Sequence, residues 1–411
     1  MESVNSGDTA FVLLSAALVC LMTPGLAFFY GGLVRRKNVL AIMMQSFISM
    51  GIVTAIWVLF GYSMAFAKSH FGFVGGLDHW GLKGVGTAPA GIPAYGSTIP
   101  FLAHFGYQEM FAVITPALIT GAFADRVTFK AYLIFLVFWS VLVYVPFVHW
   151  IWNPGGFLAK QGVVDFAGGA VVHISAGFAA LASVFVVGKR KLKPGEATAP
   201  HNVGYVALGT GLLWFGWFGF NGGSALAANG VAATAVVNTD IAGSIAMVTW
   251  LLLSWKREGK PSMVGALTGA VAGLACITPA AGYVRPWAAA VIGLAAGVVC
   301  YGAVVFRQSR KWDDALDVWG CHGVGGLLGV ILTGVFAASR VNGTSGLIEG
   351  NTHQFVWQCA AAGITAVYTF VVTFLLLKAI NAFTPVRVAD DVEDQGLDET
   401  IHGEKAYDLG A

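Results

Sequence analysis

Charge is scarce in this chain: Asp, Glu, Lys and Arg make up 11% of its 411 residues, against about 25% in soluble globular domains. That shortage excludes an ordinary soluble enzyme. It also excludes a nucleic-acid binder, because the Lys and Arg residues occur in short clusters between apolar runs rather than in one broad basic patch. Paired cysteines are lacking too. Cys20, Cys276, Cys300, Cys321 and Cys359 follow no paired spacing and nearly all lie in apolar segments, so neither a disulfide framework nor a Cys-x-x-Cys centre is indicated. The sequence has no His-x-x-x-His pair, no Gly-x-x-x-x-Gly-Lys phosphate loop and no arrangement of a nucleophilic triad, which leaves no sign of metal-dependent, ATP-driven or hydrolytic chemistry. We therefore expect no enzyme and no cofactor. The opening "MESVNSGDTA" lacks the basic stretch of a secretory signal, so the first apolar run reads as a retained span.

What fills the chain is apolar: 57% of residues are hydrophobic, in runs of about 20 residues, the length that crosses a bilayer. The runs and their punctuation predict an all-α integral membrane protein with eleven spans, near 8–34, 39–67, 101–123, 129–147, 166–188, 203–221, 235–255, 262–278, 284–306, 318–337 and 353–384. The last would be about 48 Å long at 1.5 Å per residue and must tilt. "RRKN", "DRVTFK", "GKRKLK", "WKREGK" and "RQSRK" follow spans one, three, five, seven and nine, while the other side holds only Lys68, Lys83, Lys160, Arg285 and Arg340. The positive-inside rule then places the N-terminus outside and the C-terminus in the cytoplasm. The unit is a transmembrane domain over 1–384 with a cytoplasmic tail over 385–411. The external loop 68–100, rich in Gly and Pro, is expected to contribute no core.

Five spans followed by five more must restart on the opposite face, which makes two inverted repeats, about 8–188 and 203–337, the natural reading. The fifth span of each half carries a histidine among small residues: "DFAGGAVVHISAG" contains His173 and "DVWGCHGVGG" contains His322. Asp165 and Asp317 stand at the starts of these spans, where a carboxylate ordinarily caps a helix. His173 lies about 12 Å along its helix, inside the hydrocarbon region. One such ring ordinarily bonds a neighbouring carbonyl, but two at corresponding places mark an intramembrane functional pair. Close-packed glycines allow the rings to meet and deny space to a porphyrin, which argues against haem ligation. Aromatics gather toward the external side: Tyr107 and Phe111 in "HFGYQEMF", Trp152 in "HWIWNPGG", and Trp217 and Phe220, with Ser224, in "LWFGWFGFNGGSALAAN". An interfacial belt accounts for any one of them, whereas beside two neutral imidazoles their π faces suit a small cation.

Taken together, "DFAGGAVVHI", "GWFGFNGGSA", "HGVGG" and "GLDETIHGEKAY" resemble the most diagnostic stretches of the ammonium transporter family (Amt/Mep/Rh), in the right order and over essentially the whole chain. The resemblance implies a channel for ammonium or ammonia in the cytoplasmic membrane, with methylammonium as a further candidate substrate. It implies His173 and His322 as pore histidines, Trp217 as a further pore aromatic, and Phe111 and Phe220 as the gate. Trp152, Ser224 and Phe111 match the external ammonium site, with Tyr107 where the family often carries Phe and Asp165 as the supporting carboxylate. It further implies a homotrimer in lipid and, in many prokaryotic members, inhibition by a PII signal protein on the cytoplasmic face. The tail residues Gly396, Asp398, His402, Gly403, Glu404 and Tyr407 fall in the matching regulatory segment, which is expected to dock on basic linkers such as "GKRKLKPGE" and "SWKREGKPS", some on a neighbouring subunit. Glu109 and Asp240 depart from the family pattern; pairing with backbone or a nearby base is the ordinary account of such acids, and raising the local cation concentration outside is the alternative. An ion-coupled secondary transporter of another substrate and an ammonium sensor are the rival readings.

Overall fold

The computed structural model describes residues 3–192 and 198–407. In chain order the long helices are α1 (Ser6–Leu33), α2 (Arg36–Phe66), α3 (Phe101–Ile119), α4 (Phe129–Trp152), α5 (Gly169–Val187), α6 (Val203–Ala225), α7 (Gly230–Glu258), α8 (Met263–Ile277), α9 (Pro286–Ser309), α10 (Trp319–Phe336) and α11 (Thr352–Phe383). All except α3 and α8 are long and apolar enough to cross a membrane, nine helices among the described residues. Polar side chains start several of them. Asn5, Thr128, Asn202, Asn229, Ser262 and Asn351 each accept a backbone N–H of the first turn, satisfying donors that the helix itself leaves free.

Two boundaries differ from the sequence reading in a way that matters. Helix α4 runs on past 147 to Trp152, because a π-helical turn at Ser140–Tyr144 absorbs the break that Pro146 would otherwise impose. Trp152 thus closes a helix instead of lying in a loop. The segment 68–100 does contribute core: after a short hairpin of β1 (Ser69–His70) and β2 (Val74–Gly75), Val85, Tyr95 and Ile99 are buried. Tyr95 is tolerated there because its hydroxyl donates to the carbonyl of Phe66 at 2.9 Å.

Helices α5 and α10 cross antiparallel at the centre, Gly177 lying against the backbone of Gly323 and Gly326 against that of Gly169. A Cβ at Gly177 would overlap the Gly323 backbone, so the close approach depends on glycine. Both helices open with a π-helical turn that carries the histidine, Gly169–Ile174 for His173 and Trp319–Gly323 for His322. Asp165 accepts the N–H groups of Gly168, Gly169, Ala170 and Val171 at 2.6–3.1 Å. Its counterpart is Asp314, which accepts those of Val318 and Trp319 at 3.1 and 2.7 Å. Asp317 does not play that part: it stands at φ 59° and pairs with Arg307. The two capping carboxylates each precede their histidine by eight residues, a match between the halves that the sequence reading placed on the wrong aspartate.

The basic linkers are stitched together on one side. Asp125, fully buried, accepts from Arg35 at 3.0 Å and Asn38 at 2.6 Å and lies 3.5 Å from Arg190. Arg190 in turn holds Asp313 at 2.7 Å. Burial disfavours the charged carboxyl of Asp313, but the Arg190 bonds and charge outweigh it and hold the group at about 2, below its ordinary 3.8. The stabilisation is therefore complete above pH 3.8 and lost only as pH falls through about 2. In detergent, this face should keep its resistance to limited proteolysis from pH 7 down to about 4. Cleavage near residue 190 already at pH 5 would contradict that staple.

Candidate functional site

His104, Gln108 and Phe111 follow one another along α3 at spacings of four and three residues, which puts them on one face. They line an outer cavity of about 320 Å³ together with Trp152, Asp165 and Ser224. Beneath it the Phe111 and Phe220 rings meet tilted by 38°, with centroids 4.3 Å apart, and Trp152 meets Phe111 edge-on at 5.8 Å. Trp152 is fixed by its indole N–H, which donates to the carbonyl of Asp165 at 2.7 Å. Tyr107 stands behind this group, 1% exposed. Its hydroxyl lies 2.9 and 2.7 Å from the carbonyls of Gly219 and Phe220 and 3.1 Å from Ser224 Oγ. It ties down the last turn of α6, which carries both Phe220 and Ser224.

Below the phenylalanine pair comes a column of rings. His173 lies parallel to Phe220, Trp217 and His322, with centroids 6.0, 5.5 and 5.2 Å away. The imidazoles meet Nδ1 to Nδ1 at 3.3 Å, so no porphyrin fits between them. Thr278, at the end of α8, ties the column together. Its hydroxyl donates to the carbonyl of Leu274 at 2.8 Å and so receives the indole N–H of Trp217 at 2.9 Å. It also lies 3.3 Å from His173 Nε2. In the imidazole pair one Nδ1 donates and the other accepts, and either arrangement satisfies the shared bond. The cavity around the two rings is about 10 Å³ and otherwise walled by side chains such as Leu26, Ile114, Leu213 and Val271. That is the lower limit for one water-sized molecule.

The residues singled out in the sequence thus assemble as one column, with two qualifications. Asp165 is not a free anion at the mouth, since both its oxygens are engaged by backbone. Glu109 is half-buried on α3 and Asp240 is exposed on α7; neither lines the outer cavity. Thr278, Asp314, His104 and Gln108 went unnoticed in the sequence. The equal spacing to the histidines could have revealed Asp314, whereas a lone Thr before Pro279 carries no signal.

The tail residues lie elsewhere. Asp398 accepts the N–H groups of Leu40 and Ala41 at 3.1 and 2.8 Å at the start of α2. Burial pushes its carboxyl up and those N–H groups pull it back. His402 meets Phe129 edge-on at 5.2 Å, Tyr407 bonds His201 at 2.9 Å and Glu404 N–H donates to the Asp398 carbonyl at 3.2 Å. Gly396 and Gly403 take φ of 105° and 69°; at Gly396 a Cβ would strike Lys37. The tail docks on its own chain at 35–41, 126–129 and 187–191 through contacts that include Glu393, which accepts from Lys191 N–H at 2.7 Å and Arg387 at 2.6 Å. Within its own chain the tail does not reach the "SWKREGKPS" linker, where Lys256, Arg257 and Lys260 are exposed.

Fold and site together define a multi-pass helical membrane protein with a ring-lined central column beneath a cavity, the build of a membrane transporter. The sequence matches the family model of the Ammonium Transporter Family over residues 10–407, and the chain belongs to that family. It is similar to the ammonium transporter of Bacillus subtilis, 49% identical over 407 residues covering 98% of this chain and 99% of that one. It is also similar to ammonium transporter Amt1 of Archaeoglobus fulgidus, 46% identical over 404 residues covering 98% and 100%. Among solved structures, Mep2 of Saccharomyces cerevisiae superposes with a TM-score of 0.88 at 36% identity, covering 94% of this chain and 88% of that one. The family is one of membrane transporters rather than enzymes, and this chain is a multi-pass protein of the cell membrane.

Proposed function

We propose that this protein takes up ammonium by separating it into ammonia and a proton inside the membrane. All eleven long helices cross the bilayer, as a 5+5 inverted repeat followed by a tilted α11, with the N-terminus outside. The observation that carries this reading is the continuous ring column Phe111–Phe220–His173–His322 beneath a polar cavity. An intact ammonium ion would have to lose its hydration in a site of about 10 Å³, a desolvation of many kcal/mol with no counter-charge nearby. Ammonium instead rests against Trp152 and Phe111, with Ser224 accepting an N–H, and gives up its proton there. Ammonia slips past the Phe111/Phe220 gate and along Trp217 and the histidines, which can accept its N–H or donate to its lone pair. The bonded imidazoles relay the proton inward, so the net event is entry of one positive charge.

Potassium can occupy the outer cation site but has no proton to lose, and this is the source of selectivity. Asp165 supports recruitment indirectly, by holding Trp152 and the start of α5. Three copies form a homotrimer with one pore each. The segment 385–411 regulates the pore through its dock on the cytoplasmic linkers, the face where a PII protein would bind. Current and labelled methylammonium uptake recorded together in proteoliposomes test the proposal. One elementary charge per substrate is the expected ratio; uptake without current would remove the relay, and neither signal would remove the function.

A further inference from the structure

Two acids have no part in the ring column. Apart from Asp8 and Glu258 in terminal turns, Glu109 on α3 and Asp240 on α7 are the only carboxylates of the eleven long helices. Asp240 stands about 15 Å along α7, exposed, with no hydrogen bond or ion pair among the described residues. No Lys or Arg occurs in 230–255 to neutralise it. A carboxylate facing acyl chains at that depth is costly, and such groups persist where protein covers them. Both acids lie at one level. Tyr107, two residues before Glu109, reaches the carbonyl of Phe220 at 2.7 Å, and the adjoining Asn221 donates to Thr239 Oγ1, next to Asp240, at 2.8 Å. Each acid also closes an outward stripe. Leu102, Gly106 and Glu109 on α3, and Ala233, Val237 and Asp240 on α7, recur at spacings of four and three, one face of each helix. All six are exposed or half-buried, and a Cβ added at Gly106 would meet nothing within 4 Å. Both helices begin beside the outer cavity, which His104 and Val231 line, so the two stripes run parallel and in register.

We infer that the two stripes meet between copies of this chain, α3 of one subunit against α7 of the next, with the Glu109 and Asp240 carboxyls hydrogen-bonded to each other. The inference rests on the homotrimer proposed above and names its contact. A closed ring of three joins two different faces of each copy, and the fold supplies them: α1 packs on both α3 and α6, and α6 packs on α7, so the stripes flank the α1/α6 pair. Two carboxyls in contact hold one proton between them, which gives a strong O–H···O bond and a single negative charge in place of two. That proton is taken from water as the subunits assemble. The open space at Gly106 receives the partner's Val237. Glu109 is two residues from Phe111, and Thr239 holds the residue after Phe220, so the contact braces the gate rings of adjoining subunits.

The test introduces Glu109→Cys and Asp240→Cys, singly and together, into the full chain with the half-buried Cys20 and Cys359 changed to Ser. Oxidation in native membranes should give a ladder of dimers and trimers on a denaturing gel for the double variant and monomers for each single one, because 109 meets 240 and not itself. Glu109→Ala and Asp240→Ala should each raise the monomer fraction in detergent about tenfold, the size of one interhelical hydrogen bond, and the double alanine variant no further, since both changes break the same bond. Additive losses, or none, would overturn the inference; if the cysteine variants do not fold, this alanine cycle decides. A wild type that transports ammonium as a monomer would remove the homotrimer together with this contact. A trimeric wild type whose folded double-cysteine variant gives no ladder would remove the contact alone, leaving the transport reading untouched.

Discussion

Asp165→Ala should lower transport at least about a hundredfold and destabilise the fold by at least about 3 kcal/mol. Four backbone N–H groups, from Gly168 to Val171, converge on the two carboxylate oxygens, all within a buried turn. Alanine strands them without water, and each orphaned donor costs about 1–3 kcal/mol even after partial relaxation. The effect on function comes through position. Gly169–Ile174 is a π-helical turn that ends one residue after His173, and the indole N–H of Trp152 reaches the carbonyl of the same aspartate at 2.7 Å. Loosening residue 165 therefore shifts the outer aromatic site and the ring column together. Asp165→Asn keeps one oxygen but turns an NH2 toward two of the four donors, so it should fall between wild type and Ala in both readouts. Thermal unfolding followed by intrinsic fluorescence in detergent, alongside methylammonium uptake, measures the two effects; a wild-type unfolding temperature for Asp165→Ala would show that the cap carries little weight.

Much of this architecture was legible because hydrocarbon imposes so simple a rule. Apolar length and the alternation of basic linkers delimited every long helix, since a backbone in lipid must satisfy itself within a helix. The histidines stood out because an ionisable ring in an apolar run is expensive unless it is used. What escaped notice were polar groups whose meaning depends on a partner far away in the chain. Thr278 matters only because α8 ends where Trp217 and His173 converge. The tail shows the same limit from the other side. Acidic composition alone would leave the segment in solvent, yet Glu393 is fully buried because Arg387 and the Lys191 N–H pair with it, a context that composition does not contain. Asp317 was mistaken for Asp314 because both precede His322 on the same short stretch, and only the direction of the carboxylate separates a cap from an ion pair.

His173→Ala and His322→Ala should each reduce ammonium-evoked current about a hundredfold or more, the usual range for loss of a positioned proton-transfer group, while leaving the protein folded. Folding should survive because the rings pair mainly with each other and with Thr278, and α5 and α10 are held together through glycine backbones on either side. The two variants should nonetheless differ. In His322→Ala, His173 keeps its Nε2 bond to Thr278 and its stack on Trp217 at 5.5 Å, so the upper part of the column stays in register and substrate should still bind at the mouth with a wild-type half-saturating concentration. In His173→Ala the ring between Phe220 and His322 is gone, Thr278 loses one partner, and a space opens below the gate that water can enter. Water there lowers the barrier for a hydrated ion, so residual current in this variant should become less selective, with potassium now carrying part of it. Parallel recordings in ammonium and in potassium chloride read both outcomes. Full-size, ammonium-selective current in both variants would mean that protons cross by a route other than the imidazole pair.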